Sequence, residues 1–142
     1  MSGFLLDTNI PSELIRTRPE PRVGEWVYSQ DEESLYLSAV SIGELRRGFV
    51  ILPKGKRLTK LELWFETDLM LRFRGRILPV TYSIADLWGK LHGERQLRGT
   101  PLNMADGMIA ATALEHNLTV VTRNVKDFAG LGVAVLNPWD AA

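Results

Sequence analysis

Apolar residues are spaced along the chain in two different ways. Short apolar runs predict five β-strands, near residues 4–6, 35–37, 77–80, 119–122 and 133–136. Between these runs apolar residues recur every three to four positions, as over residues 84–91, which is the spacing of an amphipathic helix. Strands that are apolar throughout and alternate with helices are typical of a parallel sheet covered on both faces. The pattern predicts an α/β protein with a three-layer α/β/α architecture and a central, mainly parallel five-stranded sheet.

Three helices are predicted with defined ends. Apolar residues follow helical spacing from Ile42 to Leu52, and Pro53 ends this helix. Ser38 and Ser41 are both suitable N-caps for it. A longer helix is predicted from Leu58 to Phe73, and a third from about Met104 to His116. Together these elements account for most of the chain between the strands.

The composition narrows the class of protein. The chain has 142 residues, 45% of them hydrophobic and 24% charged, which predicts one globular domain spanning residues 1–142. It contains no cysteine, which excludes disulfides, thiolate metal sites and cysteine nucleophiles. No apolar run approaches the length of a membrane span, and the N-terminus lacks the pattern of an export signal. We therefore expect a cytoplasmic protein that does not associate with membranes.

Charge is balanced in total but unevenly distributed. Lysine plus arginine and aspartate plus glutamate number 17 each, yet residues 46–76 hold nine basic residues against three acidic ones. This basic stretch is either a surface that faces a polyanion or a solvated helical face.

Three acidic residues stand near the ends of predicted strands, where ligands collect in parallel sheets. Each has an ordinary structural interpretation. Asp7 can cap the first helix, Glu44 can complete a capping box with Ser41, and Asp106 can be favoured by the dipole of its own helix. These interpretations remain open for each acid taken alone.

Asp106 also lies on a helical face that is otherwise small and apolar. Ile109, Ala110 and Ala113 follow it at the spacing of one face, so its carboxylate needs compensation there. Several carboxylates that converge at strand ends are costly unless a cation neutralises them, and Mg²⁺ is commonly held by a few carboxylates and waters. The set of acids therefore favours a metal site more strongly than any single member does.

Four segments resemble, in order and spacing, the motif blocks of PIN-domain ribonucleases. They are residues 5–9 (LLDTN), 37–45 (LSAVSIGEL), 105–113 (ADGMIAATA) and 122–128 (TRNVKDF). The closing Asn137-Pro138-Trp139 resembles the FitB-type branch of the VapC toxins of type II toxin–antitoxin systems. The resemblance covers essentially the whole chain.

The resemblance implies a PIN-like fold and a Mg²⁺- or Mn²⁺-dependent endoribonuclease that hydrolyses RNA phosphodiester bonds. The catalytic and metal-binding acids would be Asp7, Glu44 and Asp106. Further residues would support them in the pocket: Asn9, Ser41, Thr122, Asn124 and Asp127. The family often has a fourth acid in the last motif block, where Asn124 is expected to position groups near the site. Asp127 is expected either to act as an acid behind the metal ligands or to cap a helix.

The resemblance also implies partners. It implies a homodimer and a cognate antitoxin of the VapB or FitA kind, and operator DNA would be bound only through that antitoxin. The RNA substrate would contact basic residues through its backbone, which gives affinity without sequence information. The residues expected to do so are Arg46, Arg47, Arg72, Arg74 and Arg76. The alternative function is the toxin half of a DNA-bound repressor complex, with weak or no nuclease activity.

Overall fold

A five-stranded parallel sheet forms the centre of the computed structural model, which describes residues 3–140. Its strands are β1 (Phe4–Leu6), β2 (Leu35–Ser38), β3 (Ile77–Leu78), β4 (Thr119–Val121) and β5 (Val135–Leu136). Their order across the sheet is β3-β2-β1-β4-β5, and every neighbouring pair is parallel. The predicted strands are confirmed, with β3 and β5 each two residues shorter than the sequence pattern indicates.

Helices cover both faces of the sheet. They are α1 (Asn9–Leu14), α2 (Pro21–Ser29), α3 (Ala39–Val50), α4 (Lys56–Leu63), α5 (Met70–Arg72), α6 (Tyr82–Leu97) and α7 (Met104–His116). The long helix predicted over residues 58–73 is continuous but not uniform, because a wider π-helical turn at Trp64–Leu69 joins α4 to α5. Within residues 3–140, no helix is both long enough and apolar enough to span a membrane.

The sheet separates two apolar clusters. Successive residues of a strand point to opposite faces, and the fully buried pair Leu5 and Leu6 shows this, since each belongs to a different cluster. The predicted apolar face of α7 is also buried, with no exposed surface on Ile109, Ala110 or Ala113. These clusters confirm the three-layer α/β/α architecture.

Strand register places polar residues together at the carboxyl edge of the sheet. Leu6 of β1 pairs with Val121 of β4, so the next residues, Asp7 and Thr122, lie side by side. The Asp7 N–H donates to the Val121 carbonyl over 2.9 Å, which extends the ladder by one bond. On the other side of β1, strand β2 ends at Ser38 and α3 begins directly after it.

Ser38 is the N-cap of α3. Its hydroxyl accepts a hydrogen bond from the Val40 N–H over 3.0 Å. Ser41 therefore lies inside the helix, and the capping box that Ser41 and Glu44 could form is not present. The side chains of Ser41 and Glu44 are therefore available for contacts at the carboxyl edge of the sheet.

Candidate active site

Asp7 is a buried carboxylate, with 5% of its surface exposed. The Thr122 hydroxyl donates to its Oδ2 over 2.7 Å, and the Thr8 backbone N–H donates to its Oδ1 over 2.8 Å. These bonds favour the charged form, but burial outweighs them and raises the pKa of Asp7 above its ordinary value. In the part of the chain that the structure describes, the carboxylate accepts no backbone N–H from within α1, so Asp7 does not serve as a side-chain cap.

The orientation of the Thr122 hydroxyl is fixed by two donors. Its oxygen accepts from the Asn124 backbone N–H at 2.9 Å and from the Asn9 side-chain amide at 3.3 Å. A hydroxyl has a single proton, so these two bonds leave that proton for Asp7. The Asn9 amide also reaches Asp7 Oδ2, at 3.4 Å. Asn9 and Thr122 thus contact Asp7, and Asn124 supports it through its backbone rather than its side chain.

Thr8 connects Glu44 to the end of β1. Its Oγ1 lies 2.5 Å from Glu44 Oε1 and 2.8 Å from the Oγ of Ser41, a residue with no exposed surface. If Thr8 donates to Glu44, Ser41 donates to Thr8, and all three groups are satisfied. This role of Thr8 was not predicted from the sequence, although its place between Asp7 and Asn9 was a signal for it.

Asp106 is half-buried in the first turn of α7. Asn103 caps this helix, since its side-chain oxygen accepts the N–H groups of Ala105 at 2.9 Å and Asp106 at 3.3 Å. The pKa of Asp106 is raised to about 6, first by burial and then by the negative charges of Asp7, Asp127 and Glu44. The side chain therefore faces the same cluster of acids, which the helix-dipole interpretation alone does not explain.

Asp127 contributes to the cluster through its charge. It lies within the 3₁₀ turn Val125–Phe128, is exposed, and raises the pKa of both Asp7 and Asp106. Asn124 occupies the N-cap position of this turn, so Asp127 lies inside the turn and not at its capping position. The capping alternative for Asp127 is therefore wrong, and its role as an acid behind the metal ligands stays a prediction.

The cluster fits a divalent cation in donor type and in charge. Its members offer carboxylate oxygens, which are the ligands of hard cations. A bound cation would stabilise the charged forms of Asp7 and Asp106, which burial and mutual repulsion disfavour. Over residues 3–140, however, no group of three or more His, Cys, Asp or Glu side chains is arranged to hold one metal ion. The side chains thus share an edge of the sheet without forming a closed set of ligands.

Arg46 of the basic stretch has acidic partners of its own. Its guanidinium lies 3.2 Å from Glu62 and 3.1 Å from Glu66, and it is stacked over the Phe65 ring with 4.8 Å to the ring centroid. These contacts tie α3 to the helix beside it. The Arg46 guanidinium, which was expected to contact RNA, is therefore already paired with carboxylates.

Arg72 and Arg76 both bind Glu32. Arg72 makes two parallel bonds to this carboxylate, of 2.9 and 2.8 Å, and Arg76 donates to it over 2.9 Å. Glu32 and Arg76 each precede a strand, so they lie at the amino edge of the sheet, opposite Asp7. The structure does not bring these arginines to the acid cluster.

Arg47 and Arg74 are the remaining members of the predicted RNA contacts. Both are exposed, and neither forms a salt bridge with any residue the structure describes. Arg74 lies at the amino edge, just before β3, whereas Arg47 lies one helical turn beyond Glu44 on α3. Arg47 is therefore the member of the set whose placement best suits the prediction.

Comparison with known proteins agrees with the fold and the motif blocks. The family described as PIN domain matches residues 4–132. The chain is 42% identical over 136 residues to Toxin FitB of Neisseria gonorrhoeae, covering 96% of this chain and 98% of that protein. It is 37% identical over 139 residues to VapC ribonuclease Y4jK of Sinorhizobium fredii, covering 98% and 99%.

Solved structures agree as well. The structure of FitAB bound to an IR36 DNA fragment matches with a TM-score of 0.91 and 39% identity, over 98% of this chain and 97% of that one. The DNA-bound VapBC structure from Salmonella typhimurium matches with a TM-score of 0.81 and 26% identity, over 97% and 99%.

The chain belongs to the PIN domain family. Within that family it is similar over nearly its whole length to Toxin FitB and to a VapC ribonuclease. The resemblance that the four motif blocks indicated is confirmed.

Proposed function

We propose that this protein is the toxin of a type II toxin–antitoxin pair, and that it acts in the cytoplasm as a metal-dependent endoribonuclease. The observation that carries the proposal is the convergence of Asp7, Glu44 and Asp106 at the carboxyl edge of a PIN-domain sheet. The names of the relatives, a toxin and a VapC ribonuclease, support it.

Asp7, Glu44 and Asp106 are the residues that would hold Mg²⁺ or Mn²⁺. The chemistry that a bound divalent ion supplies here is activation of water and neutralisation of charge on the phosphodiester. The protein's own part is orientation. Thr122 and the Thr8 N–H fix the two oxygens of Asp7, while the Thr8 hydroxyl fixes Glu44. Asn9 and Asn124 hold the Thr122 hydroxyl in place.

Repulsion explains why these acids need a cation before a phosphodiester can lie against them. Asp106 is surrounded by the charges of Asp7, Asp127 and Glu44, and each of them also repels a phosphate. Without a cation the cluster repels the scissile phosphate, so its placement at the acids and its cleavage there depend on the ion.

The proposal includes a cognate antitoxin of the VapB or FitA kind. Similar chains occur in solved FitAB and VapBC complexes, some of them bound to DNA, so the proposed route to operator DNA is through the antitoxin. The helix that runs from α4 to α5 supplies apolar surface for a partner, because Leu63 and Leu71 are 61% and 65% exposed. A second copy of the chain, as in the proposed homodimer, would also require such surface.

Cleavage of a mixed RNA pool tests the proposed activity. Antitoxin-free protein is incubated with the pool in Mg²⁺, in Mn²⁺ and in chelator, beside Asp7→Asn prepared identically. We expect cleavage that requires the metal and that Asp7→Asn loses while it remains folded by circular dichroism. Undiminished cleavage by Asp7→Asn would exclude this site as the nuclease.

The same experiment addresses the alternative, a toxin half that acts mainly by binding within a DNA-bound repressor complex. The presence of DNA in the FitAB and VapBC structures is the observation that favours it. Folded wild-type protein that binds metal and its antitoxin but cleaves no RNA would support this alternative and overturn the nuclease proposal.

A further inference from the structure

An open pocket of about 310 Å³ lies between the loop that follows α1 and the carboxyl end of β4. Trp139 forms part of its wall, and two glutamates and four arginines line it. The arginines are Arg16, Arg18, Arg22 and Arg123. The basic stretch at residues 46–76 contributes none of them.

Two of the four arginines are already neutralised. Arg16 pairs with Glu13 over 3.1 Å, and Arg22 pairs with Glu20. Glu13 also accepts the Glu20 backbone N–H over 2.8 Å, so both carboxylates have fixed partners. The other two, Arg18 and Arg123, form no salt bridge within residues 3–140. The pocket therefore carries two uncompensated positive charges, which suits an anion.

Arg123 is held directly beside the acid cluster. It follows Thr122 in sequence, and its backbone N–H donates to Asn9 Oδ1 over 3.4 Å, while the amide of Asn9 reaches Asp7. Its guanidinium is stacked over the Trp139 ring, 5.3 Å from the ring centroid. Trp139 is itself only 8% exposed, so this support is part of the core. The backbone of Arg123 is thus fixed beside the site, and its guanidinium is held over Trp139 in the wall of the pocket.

We propose that Arg18 and Arg123 bind a backbone phosphate of the RNA strand that flanks the scissile bond. This inference rests on the proposed function. A strand that reaches the acid cluster needs a cationic contact next to it, because the acids themselves repel phosphate. Arginine suits this contact, since its planar group bonds two phosphate oxygens at once. Arg123 lines the pocket with its side chain and bonds through its backbone to Asn9, which contacts Asp7. A strand bound at the acids and continuing past Arg123 would place its next phosphates in the pocket, and this favours RNA over an acidic protein segment.

Binding of RNA in chelator, where no cleavage occurs, tests the subsite. The probe is a fluorescein-labelled single-stranded RNA of random sequence, and the variant is Arg18→Gln with Arg123→Gln. We expect affinity about tenfold weaker at low salt, and a slope of log Kd against log salt shallower by about 0.7, the value for one lost phosphate contact on a single strand. Restoring charge with Arg123→Lys should recover part of the slope.

The matched control is Lys90→Gln with Arg98→Gln. Both residues are exposed on or beside α6, and neither has a salt-bridge partner among the residues described. This control loses the same net charge elsewhere on the surface. We expect its slope to match that of the wild type.

Cleavage kinetics in Mg²⁺ separate a binding role from a structural one. Loss of the subsite raises KM and leaves kcat within about twofold, whereas partial unfolding lowers kcat at constant KM. The inference is overturned if the Arg18 and Arg123 variant matches the wild type in slope and in KM, or if it loses antitoxin binding alone. Wild-type protein that cleaves no RNA would instead contradict the proposed function, and wild-type protein that binds no RNA would overturn both.

Discussion

At the scale of single residues, the site depends on hydrogen bonds that favour the charged form of a buried carboxylate. Burial favours the neutral form of Asp7, while Thr122 and the Thr8 N–H favour the charged form that a cation needs. Removing one of these donors should therefore weaken cation binding at the site without removing any acid.

Replacing Thr122 by valine tests this balance. The change preserves shape but deletes the proton donated to Asp7, so the pKa of Asp7 should rise further and kcat/KM should fall about 10- to 100-fold. The control is Thr112→Val, because Thr112 is also fully buried and its hydroxyl only donates to the Met108 carbonyl within α7. Equal activity of the two variants in the RNA cleavage assay would contradict the assigned role.

The raised pKa of Asp106 predicts a dependence of stability on pH. Its pKa is about 6 in the folded protein against 3.8 ordinarily, so between these values the folded state binds the extra proton. In chelator, the contribution of Asp106 is therefore most favourable at low pH and is lost as the pH rises through about 6. The effect of burial on Asp7 has the same sign.

Thermal unfolding of Asp106→Asn and wild type between pH 5 and pH 7, in chelator, measures the pH-dependent contribution of Asp106 to stability. The asparagine variant should gain most stability over the wild type at pH 7 and less at pH 5. Comparison of the two proteins cancels other titrating groups, such as Glu32, whose pKa its bonds to Arg72 lower. A stability difference that does not change with pH would show that Asp106 carries no such shift.

At the scale of elements, a glycine positions the helix that carries Asp106. A Cβ at Gly107 would lie 2.6 Å from Cδ1 of Trp88, so α6 and α7 approach more closely there than any larger residue allows. The indole and α7 cannot both keep their positions if this space is filled. The first turn of α7, and with it Asp106, depends on this contact.

Gly107→Ala should therefore destabilise the protein by about 1 to 3 kcal/mol in urea unfolding, because overpacking forces side chains or backbone to shift. The control is Gly93→Ala in α6, where an added Cβ meets nothing within 4 Å. That change should be neutral or stabilise by about 0.4 to 1 kcal/mol. Similar stability of the two variants would show that the helices adjust freely.

Elements were predicted from the sequence where local pattern determines them. The strands are apolar runs, and the Ser38 cap and the Asn103 cap are local hydrogen bonds, so spacing alone indicated most of their bounds. The π-helical turn at Trp64–Leu69 was not predicted, because its residues keep an ordinary helical spacing.

Long-range pairing explains what the sequence analysis could not predict. Arg72 and Arg76 count as basic residues in the chain, but Glu32, about forty positions earlier, binds both. The roles of Thr8 and Arg123 also depend on strand register, which brings the ends of β1 and β4 together. By contrast, Asp7, Glu44 and Asp106 were recognisable as candidates because each lies in a motif block of its own.

At the scale of the whole molecule, the acidic site is one charged region of a chain that has zero formal net charge. Acids gather at the carboxyl edge of the sheet, and the Arg72 and Arg76 network lies at the amino edge. The repulsion among its acids suits this site to take up a cation and then a polyanion. The uptake of that cation is the central claim.

Calorimetric titration with Mn²⁺ tests that claim most directly, on antitoxin-free wild type, Asp106→Asn and Asp86→Asn. Asp86 is exposed on α6 and outside the acid cluster, so its variant matches the change in charge. We predict that wild type and Asp86→Asn bind Mn²⁺ alike and that Asp106→Asn binds it about tenfold more weakly or not at all. Equal binding by all three proteins, or none by the wild type, would contradict a metal site formed by these acids.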